Sequence, residues 1–377
     1  MDRTDLMSGV TRREFGRRMS VAAALAAATA AGRAREAAAQ NRISAGSLTD
    51  VPGIRVGHVT DTRRPTGCTA ILFDEAVTAG VDYDGSAPGE TLGVMLQPVS
   101  PLDRIHGLLL TGGGPMGLGA VQGVVRYLED RKFGYDWGVP NVRIPIVVGA
   151  VIDDLALGDG RIRPDADMGL KACEAATTGP VAEGSVGVGA GATVGKMFRS
   201  RGLGGMKGGV GTVAIRRGDV VVAALAVVNA AGDILDWRTG RIVAGARTAD
   251  GRGFANSVEQ LTGALGRQPS ARLAIDDEPL RATTLTVIAT NVALDKTSLT
   301  KLAMMANTGC ARAINPYHTN GDGDQVIALS TNKTKRPDLS LTAIGAVAAE
   351  AAAHAILRGV QQARGTQGWP GVSDIDD

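Results

Sequence analysis

The sequence predicts a layered α/β fold, and three observations carry that expectation. Apolar runs of strand length alternate along the chain with stretches of helical periodicity, the pattern of stacked sheets and helices. Glycine occupies 52 of 377 positions with no three-residue period, so it marks tight turns and close backbone approaches rather than a collagen-like fibre. Hydrophobic residues at 44% and charged residues at 21% suit a folded, soluble body with a sizeable core. Forty basic residues against 38 acidic ones leave a formal charge of +2, and aromatics make up 3% of the chain. That balance supplies neither the electrostatic footprint nor the stacking platforms of a nucleic-acid binder, so no such partner is expected.

The first feature along the chain reads as an export segment. Thr11-Arg12-Arg13-Glu14-Phe15-Gly16-Arg17-Arg18 precedes a small-apolar run over residues 19–31, and Ala37-Ala38-Ala39 offers an A-x-A-like cleavage site before Gln40. Residues 1–39 therefore resemble a twin-arginine signal peptide, which predicts a mature protein that is periplasmic or secreted. The apolar run is too short and too rich in alanine for a permanent membrane anchor.

In the mature chain, residues 54–59 and 69–73 read as strands. Residues 107–111 run into Gly112-Gly113-Gly114-Pro115 and then into helical spacing through Val121, Val124, Tyr127 and Leu128, giving strand, glycine turn and helix. Residues 145–148 are a further apolar run, and residues 213–215 with 220–228 form a hairpin across Arg217-Gly218. A polar stretch over 240–277 is expected to be irregular. Leu285, Val287 and Ala289 then alternate with Thr284, Thr286 and Ile288 in a largely buried strand over 283–290. Asp295 offers an N-cap to a helix through Leu299, Leu302, Ala306 and Ala313, residues 326–329 form another strand, and residues 341–357 form an alanine-rich helix that must pack closely. Glu350 and His354 in that helix argue against a transmembrane span.

Several motifs invite a chemistry they do not complete. Gly112-Gly113-Gly114-Pro115-Met116-Gly117 fits a dinucleotide-binding GxGxxG between strand and helix, but no strand ends in an acidic residue about twenty positions on. Residues 190–197 resemble a phosphate-binding loop, yet Ala190 stands at its first glycine and Met197 follows Lys196 where Ser or Thr is needed. Asn320-Gly321-Asp322-Gly323-Asp324 starts like a calcium loop but has Gln325 at the required glycine and Thr331 at the closing glutamate. Its carboxylates at i and i+2 share one face in extended backbone, where they could orient a cationic amine. Cys68, Cys173 and Cys310 lack CxxC spacing, and His58, His106, His318 and His354 are scattered, so neither a metal site nor a histidine triad is indicated and any base is expected elsewhere.

Six segments in order carry a resemblance over about residues 48–360: Asp50-Val51-Pro52-Gly53-Ile54-Arg55-Val56-Gly57-His58, Thr66-Gly67-Cys68-Thr69, Leu110-Thr111-Gly112-Gly113, Lys207-Gly208-Gly209-Val210-Gly211, Ala311-Arg312-Ala313-Ile314 and Asp322-Gly323-Asp324. Together they resemble the self-processing L-aminopeptidase/D-esterase family, which includes β-peptidyl aminopeptidases and nylon-oligomer (6-aminohexanoate oligomer) endohydrolases. The resemblance implies an αββα sandwich of the N-terminal-nucleophile hydrolase kind, cut into an α subunit (residues 40–282) and a β subunit (residues 283–377) of one domain. It implies a homo-oligomer, commonly a tetramer of αβ units, and neither metal nor organic cofactor.

The position matching the family's nucleophile is Thr283, with the cut after Ala282 and Thr284 as a rival. A free N-terminal threonine carries its own base, because an α-amine titrates near pH ~8. By the same resemblance Lys207 would add positive charge beside the nucleophile, Asn229 would donate to the oxyanion, and Asp322 and Asp324 match the acidic pair of the nylon-oligomer hydrolases. That set predicts hydrolysis of amide bonds in short peptides or ω-amino-acid oligomers. Aminopeptidase/D-esterase and β-peptidyl aminopeptidase activities of the same family stand as alternatives, with an ornithine acetyltransferase-like acyl transferase, a dinucleotide-dependent oxidoreductase and a periplasmic binding protein behind them. Two departures are visible: Ala282 where the nylon hydrolases carry Asn, and Asp153-Asp154 where relatives often carry Tyr, which bears on the substrate pocket.

Overall fold

The computed structural model describes residues 46–265, 282–366 and 368–375, so the segment expected to direct export, residues 1–39, and residues 266–281 lie outside the described residues. Nine strands form the main sheet: β1 (Ile54–Thr60), β2 (Gly67–Tyr83), β3 (Glu90–Thr91), β4 (Arg104–Thr111), β5 (Val147–Val151), β8 (Val210–Arg217), β9 (Val220–Asn229), β12 (Thr283–Val292) and β14 (Gln325–Thr334). Their order is β3-β5-β4-β2-β14-β12-β9-β8, with β1 also paired to β2. Small sheets join β6 (Thr193–Val194) to β7 (Met206–Lys207), and β10 (Asp233–Asp236) to β11 (Arg241–Ala244) and β13 (Ile314–Asn315).

The long strand β2 turns this sheet into a sandwich. Its first part pairs with β1 and β4, its last part with β14, and the pairing with β4 is irregular between Leu72 and Val77. Exposed Asp74 and Glu75 sit in that interruption. One core contains inward residues of both halves: Ile71, Phe73, Leu108, Leu110 and Val148 from one, and Leu225, Val227, Leu285, Val287 and Ile327 from the other. The period of two along each strand places these on one face. On the outer face of the first half, Cys68, Ala70, Leu72 and Leu109 meet Val121, Val124 and Leu128 of α1 (Val121–Asp130) and Ala172 and Cys173 of α2 (Ala166–Glu174).

Two helices cover the other outer face. After α3 (Ser257–Leu265), α4 (Lys296–Ala313) lies against β2 and β14, and α5 (Leu341–Gln361) against α4, β8 and β9. Asp295 caps α4 by accepting from the Ser298 amide at 2.7 Å, the geometry that satisfies an orphan donor of the first turn. Helix α5 is long and apolar enough to cross a membrane by length and composition, yet most of it is buried within the protein. Its alanines allow a close approach: a Cβ at Gly211 of β8 would run into the Ala355 carbonyl and the Gly359 amide. The layers are thus helices, half-sheet, half-sheet, helices. The polar stretch expected to be irregular contains β11 and α3.

Candidate active site

Strand β12 begins at Thr283, in the centre of the sheet between antiparallel β9 and parallel β14. Thr283 is the register partner of Asn229, the last residue of β9. Its hydroxyl donates to the carbonyl of Ala282 at 2.6 Å, and the same carbonyl accepts from the Gly323 amide at 3.1 Å. A hydroxyl and an amide donor therefore meet on one peptide carbonyl, an arrangement suited to acyl shift with a stabilised oxyanion. Gly323 makes the approach possible, since a Cβ there would stand 2.6 Å from the Ala87 carbonyl and 2.8 Å from the Thr283 hydroxyl. Thr284 points to the opposite face of the strand, and its buried hydroxyl has no hydrogen-bond partner.

Strand β6 and the turn after it bring a second cluster to the end of β9. Asn229 is fully buried; its carbonyl oxygen accepts from the Thr193 amide at 3.0 Å and from the Lys196 amine at 2.5 Å. Its amide nitrogen donates to the Asp153 carbonyl at 3.3 Å. Burial pushes the Lys196 amine down to about 7, against the pull of Asp153, Asp322, Asp154 and Asp324. Lys196 was passed over in the sequence because its stretch fails as a phosphate loop; the glycines around it are the signal that could have found it.

Lys207 lies on the strand next to this cluster. It pairs with Thr193 across β6 and β7, and its fully buried amine donates to the carbonyls of Ala192 at 2.6 Å, Ala190 at 2.9 Å and Gly189 at 3.4 Å. Three donors meeting three carbonyls make it a clamp under the 189–192 turn. Burial pushes this amine down to about 7 as well, opposed by Asp154 and assisted by the charge of Lys196. The amine that reaches Asn229 is that of Lys196.

Asp322 and Asp324 are both buried. Asp324 accepts from the Thr284 amide at 2.5 Å, tying the start of β12 to the approach to β14. Asp322 accepts from the amide and hydroxyl of Thr319 at 2.8 and 2.7 Å, while its second oxygen has no hydrogen-bond partner. Burial, and next the charge of Asp324, push the Asp322 carboxyl up to about 6, with Thr319 and Lys196 acting the other way. Both carboxylates act by charge on the Lys196 amine.

Asp153 and Asp154 divide in role. Asp154 is buried against Arg64, and it also accepts from the Thr66 hydroxyl at 2.6 Å and the Gly113 amide at 2.9 Å. The amide that a dinucleotide phosphate would use in the Gly112–Gly117 turn is therefore taken by this carboxylate. Asp153 contributes the backbone carbonyl that holds Asn229. Sequence spacing could not reveal the Arg64 to Asp154 pair, whose members lie 90 residues apart.

The family model described as Peptidase family S58 matches residues 46–373. An uncharacterized aminopeptidase of Mycobacterium tuberculosis (strain ATCC 25618 / H37Rv) is 38% identical over 352 residues, covering 87% of this chain and 97% of the relative. A 6-aminohexanoate-oligomer endohydrolase of Kocuria sp. (strain KY2) is 31% identical, covering 82% of this chain and 84% of that protein. Among solved structures, the L-aminopeptidase D-Ala-esterase/amidase from Ochrobactrum anthropi, described as a variant of the Ntn hydrolase fold, superposes with a TM-score of 0.61 at 23% identity, over 86% of this chain and 88% of that one. At that identity the likeness speaks to the fold, and the αββα layers described above agree with it.

Proposed function

The chain belongs to peptidase family S58 and is a hydrolase of peptide or amide bonds; from that premise we propose that Thr283, freed by self-cleavage after Ala282, is its N-terminal nucleophile. The observation that carries this reading is the Thr283 hydroxyl resting on the Ala282 carbonyl, with the Gly323 amide on the same oxygen. In the cut, Oγ1 attacks the Ala282 carbonyl carbon, the oxyanion takes the Gly323 N–H bond, and the C–N bond breaks as the Thr283 nitrogen gains a proton. Water then hydrolyses the resulting ester and releases Ala282 as a carboxylate.

Before the cut the Thr283 nitrogen is an amide and has no useful basicity, so a side chain must accept the hydroxyl proton. Lys196, held down to about 7 and bonded to the register partner of Thr283, is the amine in place. After the cut the new α-amine serves the same hydroxyl during turnover. Asn229 offers its amide N–H to the substrate oxyanion, and Asp322 and Asp324 hold the amines nearby by charge.

As substrates we propose short peptides or ω-amino-acid oligomers, the threonine and the acidic pair favouring the oligo-amide. Matched assays on aminohexanoate oligomers, β-peptides and acyl-anilides test this: highest kcat/KM on the oligomers supports it, and activity confined to aminoacyl-anilides transfers the assignment to the aminopeptidase reading. A homo-oligomer of αβ units and a place outside the cytoplasm complete the proposal. Changing Arg12 and Arg13 to Lys keeps the charge but alters the receptor-read pair. Fractionation is expected to find the double variant retained in the cytoplasm; undiminished periplasmic recovery would count against export by this route.

A further inference from the structure

His318, one of the scattered histidines, stands behind the acidic pair. Its backbone φ is +55°, left-handed geometry that His, Asn and Asp adopt more readily than most residues. Its ring lies on that of Tyr317, with centroids 3.7 Å apart. On the far side, Asn307 of α4 donates its amide nitrogen to Asp82 at 2.9 Å and to Asp84 at 2.8 Å. Those bonds orient the amide, so the oxygen of Asn307, 3.2 Å from His318 Nε2, can only accept, and Nε2 must donate.

A neutral imidazole has one N–H, and Asn307 has claimed it. Nδ1 is then a bare lone pair, buried without a hydrogen-bond partner, and it stands 3.5 Å from Oδ2 of Asp324. Two acceptors face each other there unless a proton lies between them. We propose that His318 and Asp324 hold one proton between them, making His318 the positioning residue that keeps Asp324 the acceptor for the Thr284 amide. With Nδ1 protonated, Asp324 remains anionic, receives the Thr284 amide at 2.5 Å and the His318 main-chain amide at 3.3 Å, and fixes the strand start that carries Thr283. The proposal rests on Thr283 being the nucleophile.

The charged groups facing this pair are known from each side. Asp84 lies 3.6 Å from Nε2, Asp82 is reached through Asn307, Asp322 shares the loop, and Lys196 acts on both carboxylates of the site. Asp322 already stands at about 6. Removing a cation from this group leaves Asp322 and Lys196 holding protons to higher pH, and each of those changes opposes the cut.

The test is the pH profile of self-cleavage in His318→Asn, which suits the left-handed backbone and cannot carry the charge. Its acid limb is expected to move up by about one pH unit, with the rate at pH 6 falling ~10-fold and the alkaline plateau staying within ~3-fold of the parent. A purely structural defect would lower the rate at every pH, and an equal drop across the range, or an unmoved limb, overturns the proposal. His318→Gln, which also lacks the charge, is expected to shift the limb the same way and gives a second reading should His318→Asn not fold. Thr283→Ala run in parallel separates the two levels: if it stays whole while the His318→Asn limb is unmoved, the His318 proposal alone fails, whereas cutting by Thr283→Ala overturns the nucleophile assignment beneath it.

Discussion

Thr283→Ala is expected to remain a single uncut chain and to lose turnover by at least ~10³-fold. The substitution removes the one oxygen that touches the Ala282 carbonyl and leaves the buried strand backbone of β12 in place, so folding should be preserved and circular dichroism should match the parent. Thr283→Ser keeps the hydroxyl without the methyl and should restore both the cut and part of the activity. Electrophoresis of the purified variants reads the cut, and amide hydrolysis reads the turnover. Cutting by the alanine variant would remove Thr283 from the chemistry.

Lys196→Met should slow self-cleavage by ~10²- to 10⁴-fold, the usual worth of a positioned base. The sign of the pH effect follows from an amine at about 7. Below that pH the ammonium form dominates and cannot accept a proton, so the parent's rate should fall about tenfold per unit; above it the rate should level. The Met variant should be slow and lack this rise. Lys196→Arg keeps the cation but cannot lose it near neutrality, so rescue by Arg would replace the base role with an electrostatic one. Parental cutting rates in Lys196→Met would remove this residue from the mechanism altogether.

Local features of the fold were legible where local physics decides them. The β8 and β9 hairpin, the Asp295 cap and the alternation of β12 all follow from spacing within a few residues. The 17-residue strand β2 was visible only over 69–73, because it crosses between the two halves at exposed Asp74 and Glu75, where the apolar pattern breaks. Helix α2 left little trace in the sequence, since its nine residues bury only Gly169, Ala172 and Cys173 and give little apolar periodicity. In the site, the Asp322 and Asp324 spacing pointed to a shared carboxylate face. Lys196 and His318 did not stand out, because what makes them notable is contact with residues far away in sequence: Asn229 for the first and Asp84 for the second. Lys207 drew attention through its glycine-rich setting, in which Gly208 and Gly211 lie against the carbonyls of Val228 and Ala355, while its buried amine bonds the carbonyls of the 189–192 turn.

The most direct measurement of the central claim is the intact mass and N-terminal sequence of the small fragment in the purified protein. A fragment beginning at Thr283 and running 95 residues to Asp377 is the predicted result. A chain that stays whole, or a fragment that begins at Thr284, would contradict it.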